Sequence, residues 1–318
     1  MKIVILEGNS VGEDIDFTPF FELGEVQIYP ATTVSEMPER IKDAEIVMVN
    51  KLPMNEETLK DAPNLKLICL SATGYNNLDI QYLESRGIHA CNVPGYSTDA
   101  VAQHTFALLF YIWEKLRFYD DFVKSGEYTK CGKFSYFPER FYELNGKTWG
   151  IIGLGAIGQR VAKIAEAFGC RVICYSASGN KYKTAYEQVD FQKLLAESDI
   201  ISIHAPLNEY TENLMDKEAF QKMKKTAVLV NVARGPIVNQ EDLAEALEKG
   251  EIAGAALDVL KIEPMSEENP LGKILDSRKL IITPHMAWAP VETRGRCVSE
   301  VAENMRAFLR GEDRNRVC

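Results

Sequence analysis

Trp149-Gly-Ile-Ile-Gly153-Leu-Gly155-Ala-Ile-Gly158-Gln-Arg-Val-Ala162 sets a G-x-G-x-x-G turn between an apolar run and an amphipathic helical pattern. In a strand-turn-helix setting each glycine has a task. The first permits the tight turn, the second lets a pyrophosphate approach the backbone, and the third lets helix pack closely on strand. The helix N-terminus then presents free N–H groups and the positive end of its dipole to phosphates. In isolation such a stretch is only a tight turn. Flanked by strands, it predicts a dinucleotide site on Gly153, Gly155, Ala156, Ile157 and Gly158.

Downstream of Thr148 the apolar runs continue at Arg171–Tyr175, Ile200–Ile203, Val228–Val232, Ala255–Val259 and Leu280–Ile282, with helical patterns between them. Six strands alternating with helices match the dinucleotide-binding sheet in number. Upstream, Lys2–Leu6, Val26–Tyr29, Ile46–Val49, Leu65–Leu70 and His89–Val93 alternate with helix-like segments in the same way, without a phosphate loop. The fold class predicted is α/β, two doubly wound parallel-sheet domains. A helical stretch from Asp99 to about Lys124, with Ser97-Thr98-Asp99 as cap candidates, reads as the connector. A final helical pattern, Val291–Leu309, is too short for a further domain and is expected to pack back on the first.

The strand after the glycine turn should end in an acidic residue that holds the adenosine ribose hydroxyls of NAD. This chain has Ser176 there, followed by Ala-Ser178-Gly-Asn-Lys181-Tyr-Lys183. Hydroxyls and lysines accept a 2′-phosphate that a carboxylate would repel, yet the usual arginine of NADP sites is missing. NAD and NADP both stay open.

Composition narrows the partners. Thirty-six Lys and Arg against 46 Asp and Glu leave a net charge of -10, so no basic excess exists to neutralise nucleic-acid or membrane phosphates. The longest apolar stretch, near Phe106–Trp113, is too short to span a bilayer, and the N-terminus lacks a signal-peptide pattern, which predicts a cytoplasmic protein. Seven cysteines without a C-x-x-C pair or a nearby histidine at ligand spacing predict reduced, buried thiols rather than disulfides or a metal site.

Three ionisable residues follow apolar runs beyond the glycine turn: Arg234 after Val228-Leu-Val-Asn-Val-Ala, Glu263 after Ala255-Ala-Leu-Asp-Val259, and His285 after Leu280-Ile-Ile-Thr-Pro. The carboxyl ends of parallel strands line one crevice, so these side chains can converge although distant in sequence. Histidine exchanges protons near neutral pH, a carboxylate on its second nitrogen fixes the tautomer, and arginine grips a carboxylate with two parallel N–H donors. Together they point to a 2-keto or 2-hydroxy acid. His89, His104 and His204 lack the same carboxylate and arginine partners at strand ends.

The set Gly153-Leu-Gly-Ala-Ile-Gly158, His204-Ala-Pro-Leu207, Asn231-Val-Ala-Arg-Gly-Pro236, Ala256-Leu-Asp-Val259 with Glu263-Pro264, and Thr283-Pro-His285 resembles the D-isomer-specific 2-hydroxyacid dehydrogenases, in the family's order over nearly the whole chain. Ser71-Ala-Thr-Gly74-Tyr-Asn-Asn-Leu-Asp79 and Asn92-Val-Pro-Gly95 are similar to its substrate loop and the approach to its interdomain helix. The resemblance implies a flavodoxin-like substrate domain of residues 1–98 and 287–318 around a Rossmann domain of residues 99–286. It implies His285 as acid/base, Glu263 as its partner and Arg234 as carboxylate clamp. Thr73 and Gly74 would hold the substrate, and Asp258 and Ala287 would lie near the nicotinamide carboxamide. Ala205, Pro206, Thr211, Val232 and Ala233 would line the rest of the cofactor, and the protein would be a homodimer.

Met286-Ala-Trp288-Ala after His285 looks most like the hydroxypyruvate reductase (glycerate dehydrogenase) branch, and a bulky Trp288 beside the site suggests hydroxypyruvate or glyoxylate. D-lactate and other 2-keto acid reductases of the family stay open, as does a dinucleotide-sensing corepressor-like binding protein. Glu263 argues against formate dehydrogenase chemistry, whose members carry Gln there.

Overall fold

The computed structural model describes residues 1–318, which divide into two compact units, Met1–Ser97 with Trp288–Cys318, and Thr98–Ala287. In the first unit, strands β1 (Lys2–Ile5), β2 (Glu25–Ile28), β3 (Ile46–Val49), β4 (Leu67–Leu70) and β5 (His89–Cys91) form one parallel sheet in the order β2-β1-β3-β4-β5. β3 and β4 are buried at every residue, as a sheet covered on both faces requires. β2, at the edge, keeps Glu25 and Gln27 exposed. The strand order is that of flavodoxin-like folds. The helix Val291–Leu309 covers one face: its Cys297, Val298, Val301, Ala302 and Met305 pack with Ile3, Ile5, Met48 and Leu67.

The second unit holds β6 (Thr148–Ile152), β7 (Arg171–Tyr175), β8 (Glu187–Gln188), β9 (Ile200–Ile203), β10 (Val228–Asn231), β11 (Gly254–Leu257) and β12 (Leu280–Ile282). They pair in parallel in the order β12-β11-β10-β9-β6-β7-β8, the dinucleotide-binding order with one strand added beyond the sixth. The order reverses at β6, so the crevice at the carboxyl ends opens where the glycine turn lies.

Two expectations are corrected here. The sheet has seven strands, not six, because β8 is a polar two-residue strand without an apolar run; it pairs Glu187 with Ile173 and Gln188 with Cys174. The connector is two helices, Thr98–Trp113 and Leu116–Lys124, rather than one. The break falls at Lys115, whose φ is 55° and whose ammonium bonds Arg278 O at 2.9 Å. No Gly or Pro announces it, since a tertiary contact holds the left-handed residue. The helix Thr98–Trp113 packs on the helix Ala156–Ala167 and across β10, β11 and β12.

All seven cysteines are free and six are buried. Burial pushes the Cys91 and Cys170 thiols up to about 11 and Cys297 up to about 12, which keeps them protonated and unreactive at neutral pH. No helix is long and apolar enough to cross a membrane.

Candidate active site

At the end of β6, Gly153 has φ 89° and lies so close to the β9 side that a Cβ would meet Ala205 Cα at 2.7 Å. Its N–H donates to Tyr175 O at 3.0 Å, which ties the turn to β7. A Cβ on Gly158 would meet Gly153 O at 2.2 Å, whereas one on Gly155 would meet nothing within 4 Å. First and third glycines are therefore required by the protein's own packing, and the second borders open space. Gly155 is also the N-cap of the twelve-residue helix Ala156–Ala167, with no side-chain cap. Open space before uncapped helix N–H groups fits a dinucleotide pyrophosphate.

The flanking loops are shaped by short bonds. Thr211 is buried; its hydroxyl donates to Pro206 O at 2.7 Å and accepts from Asn208 N at 2.8 Å, bracing the Ala205–Thr211 loop. Ser176 is 5% exposed, with its Oγ 3.4 Å from Ser178 Oγ. Gly179 N donates to Ser176 O, and Gln188 bonds Asn180 O and Tyr182 N, so this loop is anchored to β8. At the end of β9, Trp149 Nε1 donates to Ser202 Oγ at 2.8 Å, and that hydroxyl lies 2.9 Å from His204 Nε2. The ring is only partly covered, but Nδ1 is sealed from water and has no partner. Desolvation depresses the His204 pKa to about 3.

The ends of β10, β11 and β12 are neighbours, and each carries one residue of the expected trio. Asn231, fully buried, accepts from Ala233 N at 3.0 Å and donates to Arg234 O at 2.9 Å. It bends the chain so that buried Val232 and Ala233 lead to Arg234, whose Nη1 reaches Ala233 O at 2.8 Å. A Cβ on Gly235 would lie 1.9 Å from Leu260 C, so the arginine turn rests directly on the loop after β11. In that loop Glu263 Oε1 accepts from Leu260 N at 2.8 Å and Oε2 lies 2.7 Å from His285 Nδ1. A carboxylate only accepts, so Nδ1 carries the proton and Nε2 is left as the nitrogen not engaged by Glu263. His285 has φ 54° and donates its N–H to Asp258 O and Thr283 O.

Asp258 sits beneath this loop, 1% exposed. Its Oδ1 accepts from Thr283 Oγ1 at 2.6 Å and Met286 N at 2.9 Å, and its Oδ2 from Ala287 N at 2.8 Å. Burial raises its pKa, but bonds from His104, Thr283 and the two N–H groups outweigh that and hold it below the ordinary value. His104 Nε2 is 3.1 Å from Thr283 Oγ1 and 3.5 Å from Asp258 Oδ1. His104 thus has a strand-end carboxylate of its own, different from the Glu263 that faces His285: Asp258 directly follows β11. Asn231 and His104 are the residues that sequence reasoning passed over. A polar residue inside an apolar strand run was the available signal for the first; nothing local marks the second.

In the other unit, Thr73 Oγ1 donates to Val93 O at 2.8 Å and Thr73 O accepts from Asn92 Nδ2 at 2.7 Å. These bonds fix the Thr73–Gly74 loop through hydroxyl and carbonyl rather than N–H. Trp288 packs edge-on to Tyr96, ring centroids 6.4 Å apart.

A Rossmann sheet with an imidazole–carboxylate pair and an arginine at adjoining strand ends defines a class, the nicotinamide-dependent oxidoreductases of hydroxy acids. The profile described as "D-isomer specific 2-hydroxyacid dehydrogenase, NAD binding domain" matches residues 106–287. The chain belongs to that family and is an NAD(P)-dependent D-2-hydroxyacid dehydrogenase. It is 38% identical to a hydroxypyruvate reductase of Blautia hydrogenotrophica over 99% of both chains. It is 37% identical to a glycerate dehydrogenase of Methylorubrum extorquens over 99% of this chain and 98% of that one. Among solved structures, an acyclic imino acid reductase in complex with NADPH and D-Arg superposes with a TM-score of 0.86 at 30% identity, covering all of both chains.

Proposed function

We propose that this dehydrogenase acts on the small 2-keto acids hydroxypyruvate and glyoxylate, forming the corresponding hydroxy acids. The observation that carries the chemistry is the 2.7 Å contact of Glu263 Oε2 with His285 Nδ1, in a loop on which the Arg234 turn packs. The names of the two curated relatives support the substrate class. A dinucleotide held at the Gly153–Gly158 turn would supply the hydride. His285 Nε2 gives its proton to the carbonyl oxygen, while Glu263 holds the ring and faces the charge of the imidazolium. Arg234 grips the carboxylate and places positive charge beside the oxygen where negative charge develops. Thr73, Gly74 and Trp288 are assigned to the substrate side.

Ser176 leads us to propose that NADP(H) is accepted alongside NAD(H). Its hydroxyl pair with Ser178 offers donors where a carboxylate would repel a 2′-phosphate, and Lys181 and Lys183 are exposed on the same anchored loop. Fluorescence titration should give comparable affinities for NADPH and NADH, and Ser176→Asp should weaken NADPH at least ten-fold while sparing NADH. We further assign a homodimer to the chain, supported by exposed aromatics at Phe134, Phe137, Phe141 and Tyr142 in the cofactor unit.

The deciding experiment is NADH and NADPH oxidation with hydroxypyruvate, glyoxylate, pyruvate and a bulky 2-keto acid, each pair run separately. Fast turnover of either of the first two supports the reading. Preference for pyruvate or the bulky acid moves the chain to the D-lactate or branched-acid reductases. Cofactor binding without any turnover would replace catalysis by a sensing role.

A further inference from the structure

We propose that His104 is a positioning residue for this reaction, donating a hydrogen bond from Nε2 into the Thr283–Asp258 pair and thereby fixing the loop that presents His285. The reading rests on the function proposed above. The direction of each bond follows from counting protons. Asp258, held ionised, accepts only, so the single Thr283 hydroxyl proton must go to its Oδ1, 2.6 Å away. That leaves Thr283 Oγ1 only lone pairs for His104 Nε2 at 3.1 Å, and the imidazole must therefore be the donor.

What the bond secures is visible in the partners of Asp258. This one residue touches the loop four times: its carbonyl receives His285 N–H, and its carboxylate receives Thr283, Met286 and Ala287. A carboxylate 1% exposed is costly to keep charged unless donors surround it. His104 is the donor that arrives from outside the loop, from the helix Thr98–Trp113, which packs across β11 and β12. It ties the loop to a rigid element, and through the 3.5 Å approach to Asp258 Oδ1 it favours the ionised form. Without it, Asp258 takes up a proton more readily, one acceptor position becomes a donor, and the N–H groups of Met286 and Ala287 compete for what remains. The loop then loosens, and His285 loses its fixed angle to Glu263.

The test compares His104→Gln, whose Nε2 can stand in for the imidazole Nε2, with His104→Phe, which keeps bulk without a donor. In the wild type and both variants, kcat and KM with hydroxypyruvate, NADH affinity by fluorescence and the titration of His285 by ¹H–¹⁵N NMR are measured. With four histidines in the chain the spectra are readily assigned. The expected result is a fall in kcat of about ten-fold or more for His104→Phe, a smaller loss of NADH affinity, and a displaced His285 midpoint. His104→Gln should restore most of each. Equal behaviour of the Phe and Gln variants would overturn the proposal, as would an unmoved His285 titration. Should His104→Phe not fold, Thr283→Val removes the same link: its failure to move the His285 midpoint would equally refute the idea. The NMR readout needs no turnover, so an inactive wild type would remove the proposed function while this inference is still decided.

Discussion

In the proposed mechanism His285 and Arg234 act on different stages of one event, and their variants should separate cleanly. His285→Ala removes the proton donor and is expected to lower kcat by about 10²–10⁴-fold with modest change in KM. Arg234→Ala removes the carboxylate grip and should act chiefly by raising KM, read by steady-state kinetics over a wide substrate range. His204 gives a different signature, in stability. Its pKa is about 3 when folded, below the ordinary histidine value near 6.5. Its contribution is complete above the unfolded value and is lost as pH falls through the window between 6.5 and 3, because only the unfolded chain takes the proton. Urea denaturation at pH 7.5 and 5.0 should show the loss, and His204→Asn should flatten it. These roles were unequally legible in the sequence. Arg234, Glu263 and His285 stood out because each follows an apolar strand run. The partnership of His104 with Asp258 did not, because a helix far earlier in the chain supplies one side of it and no local pattern records that packing.

Among the elements, the strand-turn-helix from Thr148 to Ala167 makes a sharp separation between folding and binding. Gly153→Ala would force a Cβ to 2.7 Å from Ala205 Cα at φ 89°, so loss of thermal stability by about 1–3 kcal/mol is expected. Gly155→Ala meets no protein atom within 4 Å; its melting temperature should stay within about a degree or two of wild type while dinucleotide affinity drops at least ten-fold. If Gly155→Ala binds NADH normally, the pyrophosphate does not lie over that glycine. The glycine pattern and the flanking apolar runs made this element readable from sequence. The short edge strand β8 was not, since two polar residues have no period; its place comes from pairing with β7 and from Arg171, whose guanidinium bonds Glu187 at 2.7 Å and Glu197 at 2.9 Å. The break at Lys115 was hidden for the related reason that Arg278, far along the chain, holds it.

For the whole molecule, fold class followed from alternation alone: buried parallel strands at regular intervals, twice over, leave few other arrangements. What alternation does not encode is the outer surface. Phe134 is 97% and Phe137 73% exposed, and apolar rings this bare are what the proposed homodimer contact would cover. In the homodimer reading, light scattering should report twice 35.7 kDa, and Phe134→Glu with Phe137→Glu should shift the population toward monomer without altering the circular dichroism. An unchanged mass would place the contact elsewhere.

The left-handed backbone at His285 has a consequence for how this enzyme can be altered. A φ of 54° is comfortable for glycine and costs an ordinary L-residue roughly 1–2 kcal/mol, so His285 is held in a posture its own backbone resists. His285→Gly should therefore relieve tension while abolishing the proton donor, giving a protein that melts no lower than wild type yet is nearly inactive. The vacated space beside Glu263 would have the shape and the hydrogen-bond acceptor to admit free imidazole, and added imidazole should restore part of the lost turnover in a concentration-dependent way. A loop tuned for chemistry rather than endurance would thus reveal itself as a place where deleting a side chain does not weaken the fold.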